Sequence, residues 1–157
     1  MKNVWKLIAS IIICQLAGII GALFNQPSIK TWYTGLSKPL FTPPNWVFGP
    51  VWVILFLIMG VSLYISWKTP ASSNLKYAAM IAFTVQLILN TSWSYFFFYL
   101  QNPLYGLIEI SILWVFILVT IFLFYKIRPV AGLLLIPYFL WVTFATLLTF
   151  SIWNINK

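Results

Sequence analysis

The sequence predicts an all-α membrane protein, a bundle of five transmembrane helices with a long loop between helices 1 and 2. Three observations predict it. Only 6% of the 157 residues are charged, 62% are hydrophobic, and the mean hydropathy is +0.99. A soluble domain carries about a quarter charged residues, so lipid is the solvent this surface suits. The apolar sequence also divides into runs near the roughly 20 residues that cross a bilayer core about 30 Å thick. Short polar or proline-bearing turns separate these runs, except at residues 25–45.

The first span is expected over residues 4–24, after Lys2 and Lys6. A basic start before an apolar run also suits a signal peptide. This run is long for one and no small-residue cleavage site follows, so a retained helix is expected. Gly18 with Ala22, and Ala17 with Gly21, are small pairs four residues apart that permit close helix approach. Residues 25–45 are expected to be loop. The stretch from Lys38 to Trp52 holds four of the nine prolines and two of the nine tryptophans. Each proline removes a backbone donor and biases its predecessor toward extended geometry, so residues 38–50 predict a shaped lid or a helix entrance.

The second span is expected over 46–67, with Pro50 kinking it or delaying its start. The third covers 77–100 and ends at Gln101-Asn102-Pro103. The fourth covers 104–126 and turns at Lys126-Ile127-Arg128-Pro129. The fifth covers 130–152, with Pro137 inside it.

The net charge of +8 is scattered over the turns, whereas a nucleic-acid surface would gather it on one face. Lys2, Lys6, Lys68, Lys76, Lys126 and Arg128 fall on one side, and Lys30, Lys38 and Lys157 on the other. The excess predicts a cytoplasmic N-terminus and an external proline loop. With no histidine and one acidic residue, His-ligated haem, a zinc site and catalysis by Ser-His-Asp or paired carboxylates are excluded. The single cysteine, Cys14, leaves no intramolecular disulfide.

The unusual residues converge in depth. At about 1.5 Å per residue, counted from the loop side, Trp52, Trp93, Glu109 and Ala145 lie about 8–10 Å down their helices. Asn90 and Trp141 lie about 15 Å down. Gln86, Asn90, Trp93 and Phe97 share one helical face, and Trp141, Ala145 and Leu148 share another. A cavity beneath the proline loop, walled by aromatic and small residues with one amide, suits a flat apolar ligand with few polar groups. Trp5, Trp67 and Trp153 fit an interfacial belt, whereas Trp52, Trp93, Trp114 and Trp141 lie deeper. Gln86 and Asn90 also suit interhelical hydrogen bonds. Glu109 is expected to be structural, reaching headgroup water or capping polar groups. An intramembrane carboxylate could instead serve a proton-coupled transporter.

Several of these residues form an ordered pattern: Trp32-Tyr33-x-x-Leu36-x-Lys38-Pro39-x-Phe41-x-Pro43-Pro44-x-Trp46-Val47-Phe48-Gly49-Pro50-Val51-Trp52. Met59-Gly60, Gln86-Leu87-x-Leu89-Asn90-x-x-Trp93-Ser94 and Pro137-Tyr138-x-x-Trp141-x-x-Phe144-Ala145 follow. The pattern resembles the TspO/translocator protein family, the tryptophan-rich sensory proteins also called peripheral benzodiazepine receptors, and in particular a bacterial-type member. The resemblance implies a five-helix bundle, commonly a homodimer, in a bacterial cell membrane. It implies a receptor or sensor binding porphyrins such as protoporphyrin IX, and isoquinoline-type ligands, in a pocket beneath the first loop. No cofactor is required, porphyrin being ligand or substrate.

By the same resemblance the ligand site comprises Trp52, Asn90, Trp93, Trp141, Ala145 and Leu148, with Tyr105 a weaker match. Ala22, Trp32, Phe48, Gln86, Phe97 and Phe144 complete the expected lining. Trp52 and Trp141 are the implied catalytic candidates for light- and oxygen-dependent porphyrin degradation; a transporter of porphyrins or small apolar molecules is the alternative. Ala78 and Ala82 form a small pair suited to dimer contact. Animal members carry a sterol-recognition pattern late in the fifth helix, which Phe150 and Asn154 break here.

Overall fold

The computed structural model describes residues 3–157. Five helical spans cross the molecule. Helix α1 is Val4–Ile29, a short α2 is Trp32–Gly35, and α3 is Asn45–Lys68. Helix α4, Ser73–Ser94, continues as a π-helical turn over Tyr95–Tyr99, and α5 is Pro103–Ile127. The last span is broken into α6, Pro129–Leu134, and α7, Ile136–Ile155.

The five-helix expectation holds, and the element ends need correction. The first helix does not stop at residue 24 but runs through Pro27 to Ile29. The ring removes one hydrogen bond, yet the helix end is held from outside. Ser28 Oγ donates to the Phe98 carbonyl at 2.6 Å and accepts from Gln101 Nε2 at 3.3 Å. The loop is therefore shorter than 25–45 and contains the α2 turn; only about residues 36–44 are non-helical. Pro50 does not delay the second span, which starts at Asn45. The third span begins at Ser73 rather than at residue 77. Pro137 is not internal: the chain breaks at Leu135, which places this proline in the first turn of α7, where its missing N–H costs no helical bond.

Helix α1 packs against α3 on one side and α4 on the other, α4 against α5, and α5 against α6 and α7. The ring closes where α3 meets α6, tied by Ser62 Oγ donating to the Ala131 carbonyl at 2.7 Å. Toward the loop end α3 and α7 have little contact. The bundle is consequently filled at the end that carries Lys6, Lys68, Lys76, Lys126 and Arg128 and hollow at the other. Lys2 lies outside the described residues. Cys14, Met59, Ile117 and Phe124 are fully buried in the filled half, and the rings of Phe83 and Phe124 stack at 5.5 Å.

Close approach there depends on glycine. A Cβ at Gly60 would stand 2.8 Å from Ile11 Cα, and one at Gly18 would stand 2.6 Å from the Phe56 ring. Ala17 and Gly21 face α4 instead: Thr91 Oγ1 donates to the Ala17 carbonyl at 3.2 Å, and Gly21 lies against Ser94.

Candidate functional site

The hollow half holds a cavity of about 440 Å³ beneath residues 36–44, within the size range of small-molecule sites. Its wall comes from α1, the start of α3, the end of α4 with the π turn, and the second half of α7. The π turn matters to this shape. Leu100 N–H reaches back five residues to the Tyr95 carbonyl at 2.9 Å, and the widened turn buries Phe97 and its neighbour Phe98 together. Such turns commonly mark functional sites. Phe97 then stacks on Trp93 at 5.2 Å, forming one flat aromatic panel.

Of the residues expected at the ligand site, Ala22, Phe48, Trp52, Asn90, Trp93, Phe97, Ala145 and Leu148 line the cavity. Trp32, Gln86, Tyr105, Trp141 and Phe144 do not. Trp141 shares a helical face with Ala145 and Leu148, but the Phe48 ring stands 5.9 Å in front of it. Phe144 is covered by Phe41 from the loop at 6.2 Å and by Trp141 at 5.5 Å. Trp32 meets the edge of Phe97 at 5.5 Å, so it supports the panel from behind. Tyr105 is 51% exposed on the outer surface of α5. Gln86 lies below the floor: Asn90 Nδ2 donates to Tyr138 Oη at 2.8 Å, and Tyr138 in turn donates to Gln86 Oε1 at 2.8 Å. Gln86 is thus an interhelical partner, whereas Asn90 is both that and wall.

The α1 side of the wall was missed in the sequence. Gln15, Gly18, Asn25 and Gln26 face the cavity beside Ala22. Their spacing follows one helical stripe, a signal hidden by ending the helix at residue 24. Ser94, Thr149 and Tyr33 also line it. Among the described residues no partner reaches Asn25 Oδ1 or Trp93 Nε1, both buried. Each is an unpaired polar atom within an otherwise apolar wall.

Glu109 contradicts its expectation. It neither reaches outer water nor caps polar groups: the residue is 6% exposed, and no donor among the described residues reaches either carboxyl oxygen. The pairing of Gly106 with Phe97 puts it near the depth of Trp93, outside the cavity lining.

The family model described as TspO/MBR matches residues 10–154. The chain belongs to the TspO/MBR family. It is 44% identical to the tryptophan-rich protein TspO of Archaeoglobus fulgidus, over 98% of this chain and 99% of that protein. Identity to the tryptophan-rich protein TspO of Chlorobaculum tepidum is 40%, over 99% and 98%. The human translocator protein is 33% identical over 90% of this chain and 85% of its own. TspO membership and five apolar spans together make this an integral membrane protein. The Trp93–Phe97 panel and Trp52 are therefore features of a TspO cavity.

Proposed function

We propose that this TspO protein is a membrane receptor or sensor that binds porphyrins, protoporphyrin IX among them, and isoquinoline-type ligands in the cavity beneath residues 36–44. The observation that carries the reading is the wall itself: the Trp93–Phe97 panel and Trp52 flank small Ala22 and Ala145, with few polar atoms. Stacked and edge-on rings suit a flat conjugated ligand. Gln26 and Asn45, exposed in the lining, are polar side chains that its nitrogen or carboxyl groups would meet.

Added in the dark, protoporphyrin IX is expected to quench the tryptophan fluorescence of the purified protein. Trp52→Phe and Trp93→Phe should each lessen the quenching and weaken binding about tenfold; unchanged binding in both sinks the reading. Photo-oxidative degradation would add a new absorbing product under light and oxygen, lost in Trp52→Phe. Trp141, one ring behind Phe48, should matter less. The unpaired Glu109 favours a second reading, proton-linked transport, which flux in liposomes unaltered by Glu109→Gln would remove.

We propose further that the N-terminal end faces the cytoplasm, because basic residues are in excess on that side, and that the membrane is that of a bacterial cell, as the bacterial-type resemblance implies. Homodimer contact is assigned to the outer face of α4. Ala78 is exposed there with Ile81 and Ile88, whereas Ala82 is buried within the chain and cannot serve a partner as expected.

A further inference from the structure

Every exposed residue of the cavity lining belongs to α1 or α3. They are Ile19, Ala22 and Gln26 on α1, and Asn45, Gly49 and Val53 on α3. The walls from α4 and α7, including Asn90, Ser94, Ala145 and Leu148, are buried. The cavity's opening is therefore one seam, lateral rather than axial.

The seam is closed along its other half. Trp5 meets Trp67 edge-on at 5.3 Å, Ile11 meets Gly60, and Gly18 meets Phe56. The last bond across it is Gln15 Nε2 to the Val53 carbonyl at 3.0 Å. Continued in the same antiparallel register, Ile19 faces Val53, Ala22 faces Gly49 and Gln26 faces Asn45. A Cβ at Gly49 would meet nothing within 4 Å. At 1.5 Å per residue this gap is about 10 Å tall. The path past residues 36–44 is fastened instead. Ser37 N–H donates to Asn156 Oδ1 at 3.0 Å, and Asn156 Nδ2 donates to the Ser37 carbonyl at 2.8 Å. Lys38 Nζ lies 4.6 Å from the Tyr33 ring centre, and Phe41 packs on Phe144.

We infer that ligands enter this cavity sideways from the bilayer, between α1 and α3, and that Ala22 and Gly49 set the width of the doorway. The class admitted is a flat amphiphile dissolved in the membrane. Its apolar edge passes Ile19 and Val53, and its polar groups ride at the level of Gln26 and Asn45. The inference rests on the cavity being the ligand site.

The test uses the full chain in nanodiscs and stopped-flow quenching by protoporphyrin IX in the dark. Gly49→Leu should slow association and dissociation alike, at least tenfold, with Kd within about twofold; Ala22→Leu, at a position that is also binding wall, should slow association by as much whatever its Kd. A raised Kd with unchanged association would make these residues wall contacts only, and unchanged rates would mean another entrance; either overturns the inference. A disulfide from Ser37→Cys with Asn156→Cys should leave association unchanged. Tenfold slowing that a reductant reverses would put the entrance at the loop. If the unaltered protein shows no quenching, the porphyrin reading fails by itself. The doorway is then read from a nitroxide on Gly49→Cys, expected to collide more with oxygen than with a water-soluble nickel chelate; the reverse order overturns it.

Discussion

The α1–α3 seam has a closed half and an open half, built from helices of similar apolar character. In the closed half glycine brings backbone against side chain, with Gly60 at Ile11 and Gly18 at Phe56. In the open half glycine meets nothing: Gly49 has no neighbour to approach. The same residue type closes one end and leaves the other open. What differs is the partner across the seam, and above it the divergence of α3 from α7. Hydropathy decides that these helices lie in lipid, and small-residue placement decides where they touch.

The largest expected effect tests that contrast directly. Gly60→Leu should destabilise the protein by about 3 kcal/mol, because the backbone of Ile11 cannot yield as a side chain can. Gly49→Leu should change stability by no more than about 0.5 kcal/mol. Thermal unfolding in detergent compares the two, and equal losses would break the distinction.

Tyr138→Phe comes next, at the boundary between the halves. It strips Asn90 and Gln86 of their shared partner, for a loss of about 1–2 kcal/mol in denaturant unfolding. Ser28→Ala removes one buried bond to the Phe98 carbonyl, worth about 1 kcal/mol. Faster amide exchange confined to residues 95–101 would sharpen the link between α1 and the π turn. Asn156→Ala should be smallest, under about 1 kcal/mol. It frees residues 36–44, read as quicker proteolysis there at an unchanged unfolding temperature.

The spans were legible because a bilayer fixes their length and leaves no room for charge. Their ends were less so. Asn25-Gln26-Pro27-Ser28 reads as a polar turn, yet Ser28 finds its partner in the π turn after α4, a contact no local pattern carries. The face of Gln86, Asn90, Trp93 and Phe97 was correctly assigned as one stripe, and all but Gln86 reach the cavity. Periodicity orders residues around a helix without saying how far along it the hollow extends. Trp141 shows a second gap in such reasoning. Its angular position suits the wall, but Phe48 from another helix stands between. Glu109 shows a third: nearness to a helix end is not nearness to water, because α4 and α7 pack against α5 and the residue is buried.

The π turn at Tyr95–Tyr99 gives this part of the gene an unusual response to length change. It holds one residue more than an α-helical turn, and the surplus is what buries Phe97 and Phe98 side by side. Deleting a single codon there would let ordinary winding absorb the loss, because the surplus residue is the one an α-helical turn does not need, and the helix on either side would stay nearly in phase. What would be lost is the paired burial of Phe97 and Phe98, and with it the placement of the carbonyl that Ser28 Oγ holds. A substitution at Phe97 must keep a flat ring, since the panel with Trp93 depends on it; a single-codon deletion would take that panel apart while leaving the helix continuous.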